Sequence, residues 1–147
     1  MLQRLLGGLA GTGNQSVQVN EDGGCALTFD DNIVLNMDYD GALDLLTLYC
    51  RLGTIAPDRV DTVYPLLLEA NVLWAGTGGA TLGVIPGDRS VVLAYQEKAA
   101  AIDGQRFENL LTGLVDVAEF WMKLIEDRSQ DAPDSSAGAL PMYHFRA

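Results

Sequence analysis

Apolar positions along the chain change period several times, and each change marks an element. Residues 1–10 set Leu2, Leu5, Leu6 and Leu9 on one helical face with Gln3 and Arg4 opposite, which predicts a short amphipathic helix. Gly7 and Gly8 weaken it by about 1 kcal/mol each relative to Ala, so it needs a surface to lie on. Residues 11–24, rich in Gly, Asn, Ser, Asp and Gln, read as loop with a short extended piece at 17–19. A period of two then takes over. Cys25, Leu27 and Phe29 alternate with Ala26, Thr28 and Asp30, and after Asp31-Asn32 the positions Ile33, Leu35, Met37 and Tyr39 alternate with Val34, Asn36 and Asp38. This predicts a hairpin with one wet face. Residues 42–52 fit strand or helix, and their place after the Asp40-Gly41 turn makes them the third strand of a meander.

After a connector at 53–61 comes a very apolar helix, 64–75. Pro57-Asp58 can start this helix with Pro in its first turn and Asp near the positive end of the dipole. Pro65 lacks an N–H and crowds the preceding turn, so either the regular helix begins near 62–65 with Asp61 or Thr62 as cap, the favoured reading, or it kinks there. Gly76, Gly78 and Gly79 break it, and strands 80–85 and 90–96 follow, joined at Pro86-Gly87-Asp88-Arg89. The last helix is the clearest: Asp103 caps it, and Phe107, Leu110, Leu111, Leu114, Ala118, Trp121 and Ile125 hold one face, with Asp116, Glu119, Lys123 and Glu126 toward solvent. The expected architecture is α+β, in the order α-β-β-β-α-β-β-α. It forms one domain over 1–128, followed by a mobile tail at 129–147 in which 142–145 are apolar enough to dock.

The middle helix is unusual. Val63, Leu67, Ala70 and Trp74 make one stripe, yet Leu66, Leu68, Val72 and Leu73 point elsewhere, and only Glu69 and Asn71 interrupt the apolar circumference. A helix apolar all round is buried all round. Either the chain's own elements or a second copy of the chain would cover the other side.

Charge narrows the partners. With 20 acidic against 9 basic side chains the net charge is −11, which repels phosphate backbones and anionic membranes and steers basic segments toward the chain. Nucleic-acid binding and membrane insertion are therefore not expected. Cys25 and Cys50 fall inside apolar strand patterns without CxxC spacing, and no secretory signal is evident, so free thiols in a cytoplasmic protein are expected. Chemistry has little to work with. The single histidine, His144, lies in the tail, Gly76-Thr77-Gly78-Gly79 follows a helix where a phosphate loop would precede one, and no GxxxxGK[ST] occurs. No catalytic residue, cofactor or metal is expected, and the chain does not read as an enzyme.

The segment 68–83, with Asn71, Trp74, Gly76, Gly78 and Gly79 in an Asn-x-x-Trp-x-Gly-x-Gly-Gly pattern, resembles the class I type III secretion chaperones, the Tir chaperone family. The order of elements over roughly 1–127 is similar as well; Pro65 and the glycine-rich stretch before Cys25 depart from the pattern. The resemblance implies a homodimer joined through the middle helix, which binds a non-globular N-terminal segment of a secreted effector and keeps it available to the secretion apparatus. Within that reading the dimer seam falls on Leu66, Val72, Leu73 and Trp74, although Trp74 fits the core equally. The effector grip falls on Leu2, Leu5, Leu6, Leu9 and Val34. Two alternatives stay open: a regulatory protein of the same fold that sequesters an activator or adaptor, and a small-ligand-binding domain centred on 76–79.

Overall fold

The computed structural model describes residues 2–7, 15–19 and 24–130. Helix α1 (Leu2–Gly7) precedes four strands, β1 (Gln15–Val19), β2 (Cys25–Phe29), β3 (Ile33–Asp40) and β4 (Leu45–Thr54). Helix α2 (Val60–Asn71), strands β5 (Thr81–Val84) and β6 (Ser90–Lys98), and helix α3 (Gly104–Gln130) follow. All six strands join one antiparallel sheet in the order β1-β2-β3-β4-β6-β5. The fold is α+β as expected, with one strand more. The piece around 17–19 is a full edge strand, registered Val17 to Leu27 and Val19 to Cys25.

Alternation decides which face of the sheet is covered. Cys25, Leu27, Ile33, Leu35, Met37, Leu46, Leu48 and Cys50 are buried on the side that α3 crosses. Every residue of the predicted α3 stripe is buried, with Trp121 completely enclosed. Side chains of this size contribute roughly 1.5–3 kcal/mol each when fully removed from water. The α3 cap is also as read: the backbone N–H of Arg106 donates to Asp103 Oδ1 at 2.7 Å, an arrangement worth about 1 kcal/mol. Arg106 then reaches Glu97 Oε2 at 3.0 Å and the Tyr95 hydroxyl at 3.1 Å, tying the first turn of α3 to β6. Burial and the Glu97 hydrogen bond push the Tyr95 hydroxyl above its ordinary value, while Glu97 holds Arg106 more firmly protonated.

Helix α2 departs from expectation at both ends. A 3₁₀ turn at Pro57–Arg59 runs straight into a helix that starts at Val60, so Pro65 sits inside it. Val63 is completely buried and Leu67 nearly so. Burying both requires the turn before Pro65 to be helical, and that burial outweighs the single hydrogen bond the proline cannot donate. At the other end the helix stops at Asn71, and a 3₁₀ turn at Val72–Trp74 takes the chain out of it before the glycines are reached. Helix α3 runs to Gln130, and the expected tail from 131 onward lies outside the described residues.

Candidate interaction surfaces

The end of α2 is built around Asn71. Its side-chain amide pairs with Leu82 on β5 as a neighbouring strand would: Asn71 Nδ2 donates to the Leu82 carbonyl, and the Leu82 N–H donates to Asn71 Oδ1, both at 2.9 Å. Five residues on, the Gly76 N–H donates to the Ala70 carbonyl at 2.9 Å, and the Gly76 carbonyl accepts from the buried Trp121 indole at 2.9 Å. A Cβ at Gly76 would lie 2.7 Å from the Ala70 Cβ and 2.9 Å from its Cα, so only glycine allows this approach. The motif Asn71-x-x-Trp74-x-Gly76 is thus a lock between α2, β5 and α3.

Inside the lock the chain bulges outward. Leu73 and Trp74 both take left-handed backbone, with φ 51° and 56°. For side chains with a Cβ that conformation costs roughly 1–2 kcal/mol per residue. It turns their side chains into solvent, where Leu73 is 86% and Trp74 54% exposed; Val72 at 63% and Leu68 at 70% complete an apolar corner. Three of the four residues predicted for the seam, Val72, Leu73 and Trp74, are therefore brought together on the surface. Leu66 is partly buried and packs on the core. Leu68 points away from the core stripe as the spacing predicts, but the sequence alone does not assign it to the seam, because a helix apolar all round does not tell which of its sides faces water.

The residues predicted for the effector grip are distributed differently. Leu5 is buried in the core and Leu6 packs partly buried against it. Leu2 begins α1, and Leu9 lies outside the described residues. Val34 is 43% exposed, alternating with buried Ile33 and Leu35, so it belongs to the sheet face away from α3. Val17 and Val19 add further exposed apolar area on β1.

Reactive chemistry is sparse. Cys25 and Cys50 are free and buried, and burial pushes the Cys50 thiol up to about 11, which leaves it protonated and unreactive near neutrality. Among the described residues no group of three or more His, Cys, Asp or Glu is placed to hold a metal, and no helix is long and apolar enough to cross a membrane. A cleft of about 540 Å³ opens between the end of β4 and the second half of α3, with Glu119, Lys123 and Glu126 on its rim and Leu52 and Ile125 on its floor. Carboxylates on an open rim are solvated charges, not an acid–base pair.

The sheet is backed by helices on one side and turns an apolar corner outward. The chain belongs to the Tir chaperone protein (CesT) family, whose model matches residues 4–122. The resemblance carried by Asn71, Trp74 and the glycines is thereby confirmed. Solved structures agree. The chain is similar to one in the ExsC–ExsE complex, at 25% identity and a TM-score of 0.66, over 84% of this chain and 92% of that one. It is also similar to a chain of the complex of the Yersinia pestis type III secretion chaperone SycH with a stable fragment of YscM2, at 21% identity and a TM-score of 0.61, over 81% and 97% of the two chains. A chain of the HopA1–SchA chaperone–effector complex matches at 18% and 0.64, over 83% and 90%. No curated protein matches the chain.

Proposed function

We propose that this type III secretion chaperone acts as a homodimer in the bacterial cytosol. It holds an extended N-terminal segment of a cognate effector, keeps it unfolded for the secretion apparatus, and catalyses no reaction itself. The observation that carries the reading is the corner formed by Leu68, Val72, Leu73 and Trp74. Backbone strain of this kind persists where the surrounding structure over-determines it, and it clusters at functional sites. Four large apolar side chains gathered on one exposed corner match the core of a protein interface, and a second copy of the chain offers the same corner in return. The effector is then held elsewhere, by Leu6, Val34 and an edge of the sheet, with Leu2 and Leu9 as further grip from the first helix. Ordering an extended peptide costs roughly 2–5 kcal/mol, so several apolar contacts must act together.

Co-purification of the tagged chain from its native cytosol, with light scattering on the free protein, tests the proposal. A free dimer of the 15.8 kDa chain that captures a secreted protein through its N-terminal region is expected. A monomer without a protein partner would overturn it. Leu73→Asp is expected to give a folded monomer; if the variant sediments as a dimer of unchanged stability, Leu73 is not in the seam. The same surfaces would serve a protein that sequesters a regulator, and the identity of the captured partner separates the two.

A further inference from the structure

The two ends of the sheet are held in different ways. At β5 the outward-facing N–H and C=O of Leu82 are already bonded to Asn71, so an incoming strand would have to break the α2 lock. At the other end β1 pairs with β2 through a five-residue ladder, Gln15 opposite Phe29 to Val19 opposite Cys25. Val17 and Val19 share a face with the buried Leu27 and Cys25, yet they remain 48% and 73% exposed. Little apolar burial therefore holds β1 in place, and the backbone bonds of its ladder are ones any extended segment can replace. Its match to β2 is also incomplete. A polar residue, Gln15, stands opposite Phe29, which is only partly buried. In sequence β1 lies between Gly11-Thr12-Gly13 and Gly23-Gly24.

We propose that β1 is a stand-in strand, and that the edge of β2 beneath it is the docking edge for the client's extended segment, which takes β1's place. The register dictates what that segment looks like. It carries apolar side chains at three alternate positions, opposite Phe29, Leu27 and Cys25, where β1 offers Gln15, Val17 and Val19. Because the pairing is antiparallel, its N-terminal flank lies beside the β2–β3 turn. There Asp30 and Asp31 are exposed on left-handed backbone. A basic flank fits these carboxylates and the net charge of −11. The client pattern is thus a Lys- or Arg-bearing flank followed by apolar, polar, apolar, polar, apolar. The identity of the segment as an effector rests on the chaperone reading; the edge itself does not.

A disulfide lock tests this. Gln18 and Ala26 are directly opposed Cα partners, a pairing whose spacing of about 4.5–5.5 Å lies within disulfide range. Cys25 is buried and so does not compete. The probe is a fluorescein-labelled peptide, Lys-Lys-Ser-Leu-Thr-Leu-Thr-Leu, titrated against Gln18→Cys/Ala26→Cys with and without reductant. The oxidised form is expected to bind at least about ten-fold more weakly than the reduced form, and a variant with 15–19 replaced by Gly and Ser at least about ten-fold more tightly than the parent, each a shift of roughly one decade in Kd. Equal binding by the oxidised and reduced forms overturns the proposal. So does absence of binding by both the reduced form and the strand-less variant. An effector captured equally by locked and unlocked chain leaves the chaperone reading intact and removes the stand-in strand. If the peptide behaves as expected and no secreted protein co-purifies, the edge stands and the chaperone reading falls.

Discussion

At the β5 end of the sheet, a side-chain amide and a glycine with no room for a Cβ lie five residues apart, and an indole N–H from α3 bonds to the glycine. At the β1 end a short strand lies on its neighbour with its valines half in water. An exposed sheet edge invites pairing with any passing extended chain, and proteins manage that hazard by plugging, shortening or covering it. Here one edge is plugged by Asn71, and the other is covered by a strand that little apolar burial holds down. Under the docking proposed above, the closed edge leaves the β1 end as the one place where an incoming strand can pair.

Substitutions at the closed edge are expected to be the most damaging. Gly76→Ala places a methyl 2.7 Å from the Ala70 Cβ, forcing the loop off α2 and lowering stability by about 3 kcal/mol in urea unfolding. A loss below about 1 kcal/mol would mean that the loop yields easily and is no lock. Asn71→Ala removes both bonds to Leu82 and leaves an N–H and a C=O in a partly buried place, at a cost of about 2 kcal/mol. Faster hydrogen exchange confined to β5 should accompany it.

The thiol in the middle of the sheet gives a pH signature of the same stability. Cys50 is raised from 9.0 to about 11 by burial, so between those values the folded chain binds more protons than the unfolded one. Stability therefore falls as pH rises from 9.0 toward 11, by about 2 kcal/mol in all, and Cys50→Ala should flatten that slope in urea midpoints taken at several pH values. The smallest effect belongs to the open edge. Val19, at 73% exposure, should change stability by less than about 0.5 kcal/mol on substitution to Thr, a good strand former. A drop comparable to that of Asn71→Ala would erase the difference between the edges.

What could be read from the sequence follows from how local each signal is. The α3 stripe repeats over many turns, and its Asp103 cap lies next to it in the chain, so periodicity and capping chemistry sufficed. The alternation of 25–29 and 33–39 placed β2 and β3 for the same reason. Strand β1 holds only Val17 and Val19 as apolar signal, and its partner supplies the rest. The favoured start of α2, at 62–65, falls too late because Pro65 is a local signal, whereas the burial of Val63 that overrides it is tertiary; the start offered by Pro57-Asp58 is the one the chain takes, through its 3₁₀ turn. The left-handed turn at Leu73 and Trp74 was invisible because neither residue favours that backbone, and the glycines just beyond drew the expected break to themselves. Hence Val72, Leu73 and Trp74, assigned to the seam together with Leu66, share an exposed corner for a reason the helical pattern does not contain, and Leu68, read as pointing away from the core stripe, joins them there. Asn71 stood out as a polar interruption of the apolar helix and as part of the family pattern, but its bonding was not legible, since its partner Leu82 lies 11 residues on.

The left-handed corner also sets a trap for protein engineering. Leu73 is almost wholly in water, so replacing it with glycine would relieve the backbone and give up hardly any burial in the isolated chain. A screen that ranks variants by melting temperature would retain Leu73→Gly as an improvement and discard the side chain around which two copies are proposed to meet. Directed evolution of this scaffold would have to select on the assembled complex, because at this corner the fittest monomer and the working protein differ in sequence.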